Sequence, residues 1–310
     1  TQTLSGERSG SLLSVVDRSV TATGARLLFR RITTPSQRLA TIEERASAVA
    51  FFCGQSGLRG AVRSVLKQLP DVERALGRVA LERSGPRDLL ALGSGIIQAA
   101  QVHALLAQHD LPPLLQNAAD DLKGFEALSD ELDRALVSDA PLLARDGGFV
   151  ATGYSSELDE ITALRDEARS VIARMQADYA DQSGIPSLKI KHNNVLGYFI
   201  ETTASHARRM MSAPLSDTFI HRQTTANAVR FTTVELGDME TKILNAASRA
   251  TGLELEIFAG LCAQVLDHAV PLQALAVAMA EIDVAAAFSE LAMAEGWVRP
   301  VLNDSRDFII

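Results

Sequence analysis

Leu188-Lys-Ile-Lys-His-Asn-Asn-Val-Leu-Gly-Tyr-Phe-Ile-Glu201 is the stretch on which the fold turns. Leu188 and Ile190 alternate with Lys189 and Lys191, a period of two. After a turn at Asn193-Asn194, where asparagine tolerates positive φ, Tyr198 and Ile200 share one face on the way back. The pattern predicts a β-hairpin. A polar loop with His206, Arg208 and Arg209 follows, and then Phe219-Ile-His-Arg-Gln-Thr224 and Val229-Arg-Phe-Thr232 supply two further short strands. Roughly four short strands form a stable sheet only if one face is buried.

On both sides of this insert the period is helical. Ser156-x-x-Asp159 has the form of a capping box, and Leu158, Ile161, Leu164, Ala168, Ile172, Met175 and Tyr179 then keep to one stripe. Ser183-Gly-Ile-Pro186 ends that arm, with Gly184 suited to a left-handed cap and Pro186 unable to continue. Its roughly 27 residues would reach about 40 Å. A second box, Thr232-x-x-Glu235, opens the returning arm, whose seam is Leu236, Met239, Ile243, Ala246, Ala250, Leu253 and Ile257. Alternating steps of three and four are the spacing that lets two helices lie side by side. At Leu261 and Val265 the stripe relaxes toward straight-helix spacing, and Pro271 separates off a last helix to about Ala294. The expected architecture is mainly α: a multi-helix core with a long antiparallel helical lever carrying a small antiparallel β insert.

Residues 1–152 read as consecutive helices. Leu12 to Val16, Ala25 to Ile32, a run through Ile42, Ala46 and Val49 capped by Ser36, Leu58 to Leu69, a helix opened by Pro86, and Leu122 to Val137 are separated by Pro35, Pro70, Pro112-Pro113 and the turn Arg145-Asp-Gly-Gly148. The chain has 310 residues, of which 47% are hydrophobic and only 5% aromatic, enough for a core built on Ala and Leu. Cys53 and Cys262 match no metal spacing and read as buried free thiols in a reducing compartment. No apolar run is expected to reach the roughly 20 residues that span a bilayer, and Thr1-Gln-Thr-Leu-Ser-Gly6 carries no secretion signal. With no Met at its start, the chain is expected to be a piece of something longer.

The charge is unevenly placed. Residues 186–234 hold Lys189, Lys191, Arg208, Arg209, Arg222 and Arg230 against Glu201 and Asp217, a formal charge of +4 on a chain of −8. A cationic tip on an acidic body is drawn to a polyanion while the body is repelled. The cations are interleaved with Asn193, Asn194, Gln223, Thr224, Thr225 and Asn227, which donate to phosphate oxygens, and no run of stacking aromatics accompanies them. This fits backbone gripping rather than base readout. No phosphate-cradling loop, nucleophile elbow or H-E-x-x-H motif is present, so no enzyme is expected here. His103 and His109 lack ligand-spaced partners, and no metal site is expected. The competing reading is a helical scaffold that presents the tip to a protein partner.

At these residues a resemblance enters. His221-Arg-Gln-Thr-Thr-Ala-Asn-Ala-Val-Arg-Phe231, Met239-Glu-Thr-Lys-Ile-Leu244 and His192-Asn-Asn-Val-Leu-Gly-Tyr-Phe-Ile-Glu201 resemble the clamp and returning lever of the MutS family of DNA mismatch-repair proteins. Gly10-Ser-Leu-Leu-Ser-Val-Val-Asp17, Thr23-Gly-Ala-Arg-Leu-Leu28, Arg87-Asp-Leu-Leu90 and Gly153-Tyr-Ser-Ser-Glu-Leu-Asp159 are similar to its helical core, in order. The resemblance implies a helical core over 1–155, an outgoing lever over 156–185, a β-rich clamp over 186–234, a returning lever and core over 235–296, and the start of a truncated ATPase domain over 297–310. It implies contact of Arg222, Gln223, Asn227 and Arg230 with the DNA backbone, to which the insert's composition adds Lys189, Lys191, Asn193, Asn194, Arg208 and Arg209. It further implies double-stranded DNA as partner, mismatched DNA and a homodimer for the intact protein, and a cytoplasmic, nucleoid-associated setting. ATP and Mg would belong to the missing ATPase domain, with no cofactor in this part. Two positions depart from the family pattern. Ala226 stands where Lys is common and Val229 where Glu is common; the lost phosphate contact would fall to Lys189, Lys191, Arg208 or Arg209.

Overall fold

The computed structural model describes residues 9–193, 195–305 and 309. Among them, helices dominate and one small antiparallel sheet is present, as the sequence pattern predicts. The chain divides into two compact units, residues 1–144 with 258–310, and residues 145–257.

The first unit holds α1 (Leu12–Val16), α2 (Ala22–Thr33), α3 (Leu39–Gly54), α4 (Ser56–Leu66), α5 (Val72–Ala80), α6 (Pro86–Leu106), α7 (Pro113–Asp120) and α8 (Glu126–Ala135). The second holds α9 (Ser156–Ser183), the short α10 (Ala207–Met210) and the first part of α11 (Val234–Asp267), which ends in the first unit. Finally α12 (Ala269–Glu295) returns to the first unit, where α2, α3, α4, α5 and α7 pack around it. Leu275, Met279, Ile282, Val284 and Ala286 are all buried on it. A helix apolar on every side belongs at the centre of a core. By length and composition both α6 and α12 could cross a bilayer, against the expectation that no run comes near that length. Both supply buried core residues instead.

Asp283 sits fully buried within α12. Its Oδ2 accepts from the Thr21 N–H at 2.8 Å and the Thr21 hydroxyl at 2.6 Å, and both oxygens lie 3.1 Å from the Val20 N. Burial pushes this carboxyl above the ordinary range, and the Thr21 and Val20 hydrogen bonds oppose the shift. The helix pattern is denser than expected. Asp71 caps α5 by accepting from the Arg74 N–H at 3.2 Å. Pro113 opens α7, although the Pro112-Pro113 pair on its own suggests only a break, because proline is tolerated in a first turn. Cys53 and Cys262 are free and half-buried rather than buried, and burial raises the Cys262 thiol pKa.

In the second unit α9 and α11 pair as antiparallel rods. Leu158 and Ile161 near the start of α9 share a cluster with Ala250, Leu253 and Ile257, while Ile172, Met175 and Tyr179 near its end share another with Leu236 and Ile243. Neither capping box forms as expected; in each helix the N-cap moves by one residue, which puts a leucine at the third position. The hydroxyl of Ser155, not Ser156, accepts from the Leu158 N–H at 3.3 Å. Thr233, not Thr232, accepts from the Leu236 N–H at 3.0 Å, because Thr232 still belongs to a strand. As expected, α9 ends on Gly184 at φ +61°. Leu164 leaves the predicted stripe and is 59% exposed. It lines a groove of about 470 Å³ between the two clusters, together with Val171 of α9 and Met239 and Ala246 of α11.

A buried acid closes the start of this unit. Glu254 of α11 accepts from three consecutive backbone N–H groups, Gly148 at 2.8 Å, Phe149 at 3.0 Å and Val150 at 3.2 Å. The turn read at Arg145–Gly148 is thereby tied to α11.

Candidate nucleic-acid interface

Four strands, β1 (Lys189–Asn193), β2 (Gly197–Thr203), β3 (Ile220–Thr224) and β4 (Ala228–Thr232), form an antiparallel sheet in the order β1-β2-β4-β3. Ile190 pairs with Ile200, and Ile200 with Phe231. The face that carries Ile200, Val229 and Phe231 is buried against Met175 and Tyr179 of α9, Leu236 of α11, Met210 and Phe219. Because side chains alternate, Lys189, Lys191, Glu201 and Arg230 project from the other face. Tyr179 fastens the sheet to the rods. Its hydroxyl lies 2.7 Å from the Thr233 hydroxyl, and its ring meets Phe219 edge-on at 5.4 Å.

The β1–β2 turn is closed by Asn193, whose Oδ1 accepts from the N–H groups of Val195 at 2.9 Å and Leu196 at 2.8 Å. Positive φ falls on Gly197 at +69°, where a Cβ would collide with the Glu240 carboxylate. Asn194 lies outside the described residues. In β3 the register slips between His221 and Gln223, so Arg222 is the extra residue of a bulge on the exposed edge strand. A bulge blunts an edge and re-aims a side chain. Asn227 and Ala226 are exposed at the β3–β4 turn, which is held by the Thr225 N–H donating to the Ala228 carbonyl at 2.8 Å.

Asn193 is engaged in its own turn, and apart from it and Asn194 the expected contact residues separate into three groups. Lys189, Arg222, Gln223 and Asn227 are exposed on the sheet or its turn. Arg208 and Arg209 do not sit in a loop but on α10, which follows the helical turn Ala204–His206 and is anchored by buried Met210. The Arg209 guanidinium lies against Gly184 at the C-terminus of α9, a favourable place for a cation. The third group is engaged with Glu201. Lys191 Nζ reaches Oε1 at 2.6 Å and Arg230 Nε reaches Oε2 at 3.1 Å. Arg230 also donates to Gln223 Oε1 at 2.7 Å and lies 4.6 Å over the Phe199 ring. Its side chain is 24% exposed and that of Lys191 is 50% exposed. The Lys191 hydrogen bond, opposed by partial burial and reinforced by Arg230, holds the Glu201 carboxyl below the ordinary range.

Sequence reasoning counted Glu201 only as a negative charge. Its place at the centre of the open face depends on register, which a strand pattern alone does not set. Val229 points into the core, so its departure from the family pattern changes the buried face. Ala226 is a true surface position. All three phenylalanines of the insert, Phe199, Phe219 and Phe231, are buried, and none is available to stack on a base.

The family model for MutS domain III matches residues 1–289. Proteins named DNA mismatch repair protein MutS are similar along the whole chain. The one from Paracoccus denitrificans is 58% identical over 310 residues, all of this chain and 35% of the relative. Those from Dinoroseobacter shibae and Roseobacter denitrificans are 55% and 54% identical with the same coverage. The chain thus spans 35% of the length of the curated relatives it matches.

Proposed function

Because the chain belongs to the MutS domain III family, we propose that it is the core, lever and clamp portion of a DNA mismatch-repair protein, and that the open face of its sheet grips duplex DNA by the phosphate backbone. The observation that carries this reading is the division of the sheet into two faces. One is apolar and closed by the rods, while the other sets Lys189, Lys191 and Arg230, with Arg222 on the neighbouring edge, beside the amide donors Gln223 and Asn227. Cations and amides suit phosphate oxygens, which carry no sequence information, and the buried phenylalanines offer no surface for a base to stack on.

In the intact protein the domain divisions would be those implied by the resemblance. Two copies would close their clamps around a duplex. An ATPase domain, with ATP and Mg, would lie outside this portion, and the assembly would work in the cytoplasm on the nucleoid. The levers would be α9 and α11. A relay through them is supported by the core that their ends share with the sheet, since Tyr179, Leu236 and Phe231 lie in one cluster. Displacing the sheet would then move the rod ends with it.

The test is a mobility shift of random-sequence duplexes by the 310-residue chain across a salt series. Binding is expected in the non-specific range, Kd about 10⁻⁴ to 10⁻⁶ M, and weakens steeply with salt. Binding insensitive to salt, or none at low salt, would overturn the reading and favour a protein partner for the tip.

A further inference from the structure

We propose that Glu201 is an internal counterion that limits how strongly the sheet grips a polyanion, by occupying two cations that a phosphate would otherwise take; this rests on the DNA-binding reading above. Glu201 lies on β2, an interior strand, with Lys189 directly across it on β1 and Arg230 directly across it on β4. Its two oxygens are divided between two cations, Oε1 to Lys191 Nζ at 2.6 Å and Oε2 to Arg230 Nε at 3.1 Å. Gln223 and the Phe199 ring hold the Arg230 guanidinium from two further directions. Arg230 is therefore aimed along the sheet rather than outward, and Lys191 leans across the strand.

The remaining anion of the insert is placed differently. Asp217 is exposed in the helical turn Leu215–Asp217, outside the sheet. The two acids contribute equally to net charge, yet only Glu201 is paired with lysine and arginine on the face that would meet DNA. A phosphate approaching that face must compete with a carboxylate already in place. Each cation that stays on Glu201 is one phosphate contact fewer, and contacts set both affinity and its salt dependence. Such a counterion keeps attachment weak enough to be reversible.

The experiment compares Glu201→Gln with Asp217→Asn in the 310-residue chain, using a random-sequence duplex and a salt series. Both remove one negative charge, and only the first frees Lys191 and Arg230. Glu201→Gln is expected to bind roughly tenfold tighter at low salt and to steepen the log–log salt slope by about one to two units, at ~0.9 per added phosphate contact. Asp217→Asn is expected to change affinity by less than about threefold through long-range charge alone. Adding Lys191→Met to Glu201→Gln should remove about half of the gain in log affinity, as a coupled pair requires. Circular dichroism and thermal melting establish that each variant is folded; if Glu201→Gln is not, Glu201→Ala takes its place with the same expected direction. Equal effects of the two acid replacements, in a chain whose native form binds with salt dependence, would overturn the counterion role and leave DNA gripping intact. Salt-insensitive binding or no binding by the native chain would instead remove the reading on which it rests.

Discussion

The two faces of the β1-β2-β4-β3 sheet are built from neighbouring residues by different physics. Ile200, Val229 and Phe231 point one way and vanish into the cluster formed with α9 and α11. Lys191, Glu201 and Arg230 point the other way and settle their charges among themselves near solvent. Burial holds the first face, at about 1.5–3 kcal/mol for each large apolar side chain removed from water. The Lys191–Glu201 pair is half exposed and the Arg230–Glu201 pair partly buried, and ion pairs that still reach water are worth about 1 kcal/mol each, so the second face contributes less to folding. Stability and polyanion recognition can therefore be altered separately, though their residues alternate along the same strands.

The largest expected effect is on the closed face. Phe231→Ala should cost about 3–5 kcal/mol of stability, read by urea denaturation, because it opens a cavity where the sheet meets the rods. A loss below about 1 kcal/mol would break the comparison. Next come two acids with opposite duties. Glu254→Ala leaves the N–H groups of Gly148, Phe149 and Val150 without their acceptor and should cost about 2–3 kcal/mol in the same assay. Glu201→Gln should stay within about 1 kcal/mol of the native chain, since its partners reach water.

Smaller effects sharpen the open face. Arg222→Ala should leave stability within about 0.5 kcal/mol, lower affinity uniformly across duplex sequences and flatten the salt slope by roughly one unit. A change in sequence preference would contradict backbone contact. The smallest effect is a pH dependence. The folded Glu201 carboxyl titrates below its unfolded counterpart, so its stabilisation is present above the ordinary carboxylate pKa. That stabilisation is lost as pH falls through the depressed folded value. The stability difference between native and Glu201→Gln chains, followed by acid titration, should shrink through that window; a difference that grew as pH fell would assign the pairing wrongly.

Much of this was legible in the sequence because it depends on local chemistry. The switch from period two to helical period placed the sheet between the rods, and Gly184 before Pro186 fixed where α9 stops. The caps missed by one residue because Ser155-Ser156 and Thr232-Thr233 each offer two adjacent hydroxyls, and only backbone geometry chooses between them. Leu164 keeps to a helical spacing, but it lines an open groove beside α11, which spacing on one helix cannot show. The long-range acids were invisible for another reason. Asp283 and Glu254 serve backbone N–H groups more than a hundred residues away, and any residue type supplies such a donor. The Arg222 bulge and the grouping around Glu201 needed register, which two short strands of similar pattern leave open.

The account stands most directly on which face meets DNA. A photo-crosslinker carried at position 227 by Asn227→Cys, on the exposed β3–β4 turn, can be compared with the same group at exposed Ile97 on α6 by Ile97→Cys. Duplexes of any sequence should crosslink at position 227, in yields that fall with salt, and only weakly at position 97. Equal yields at the two positions, or adducts at 227 that ignore salt, would contradict an interface made by the open face of the sheet.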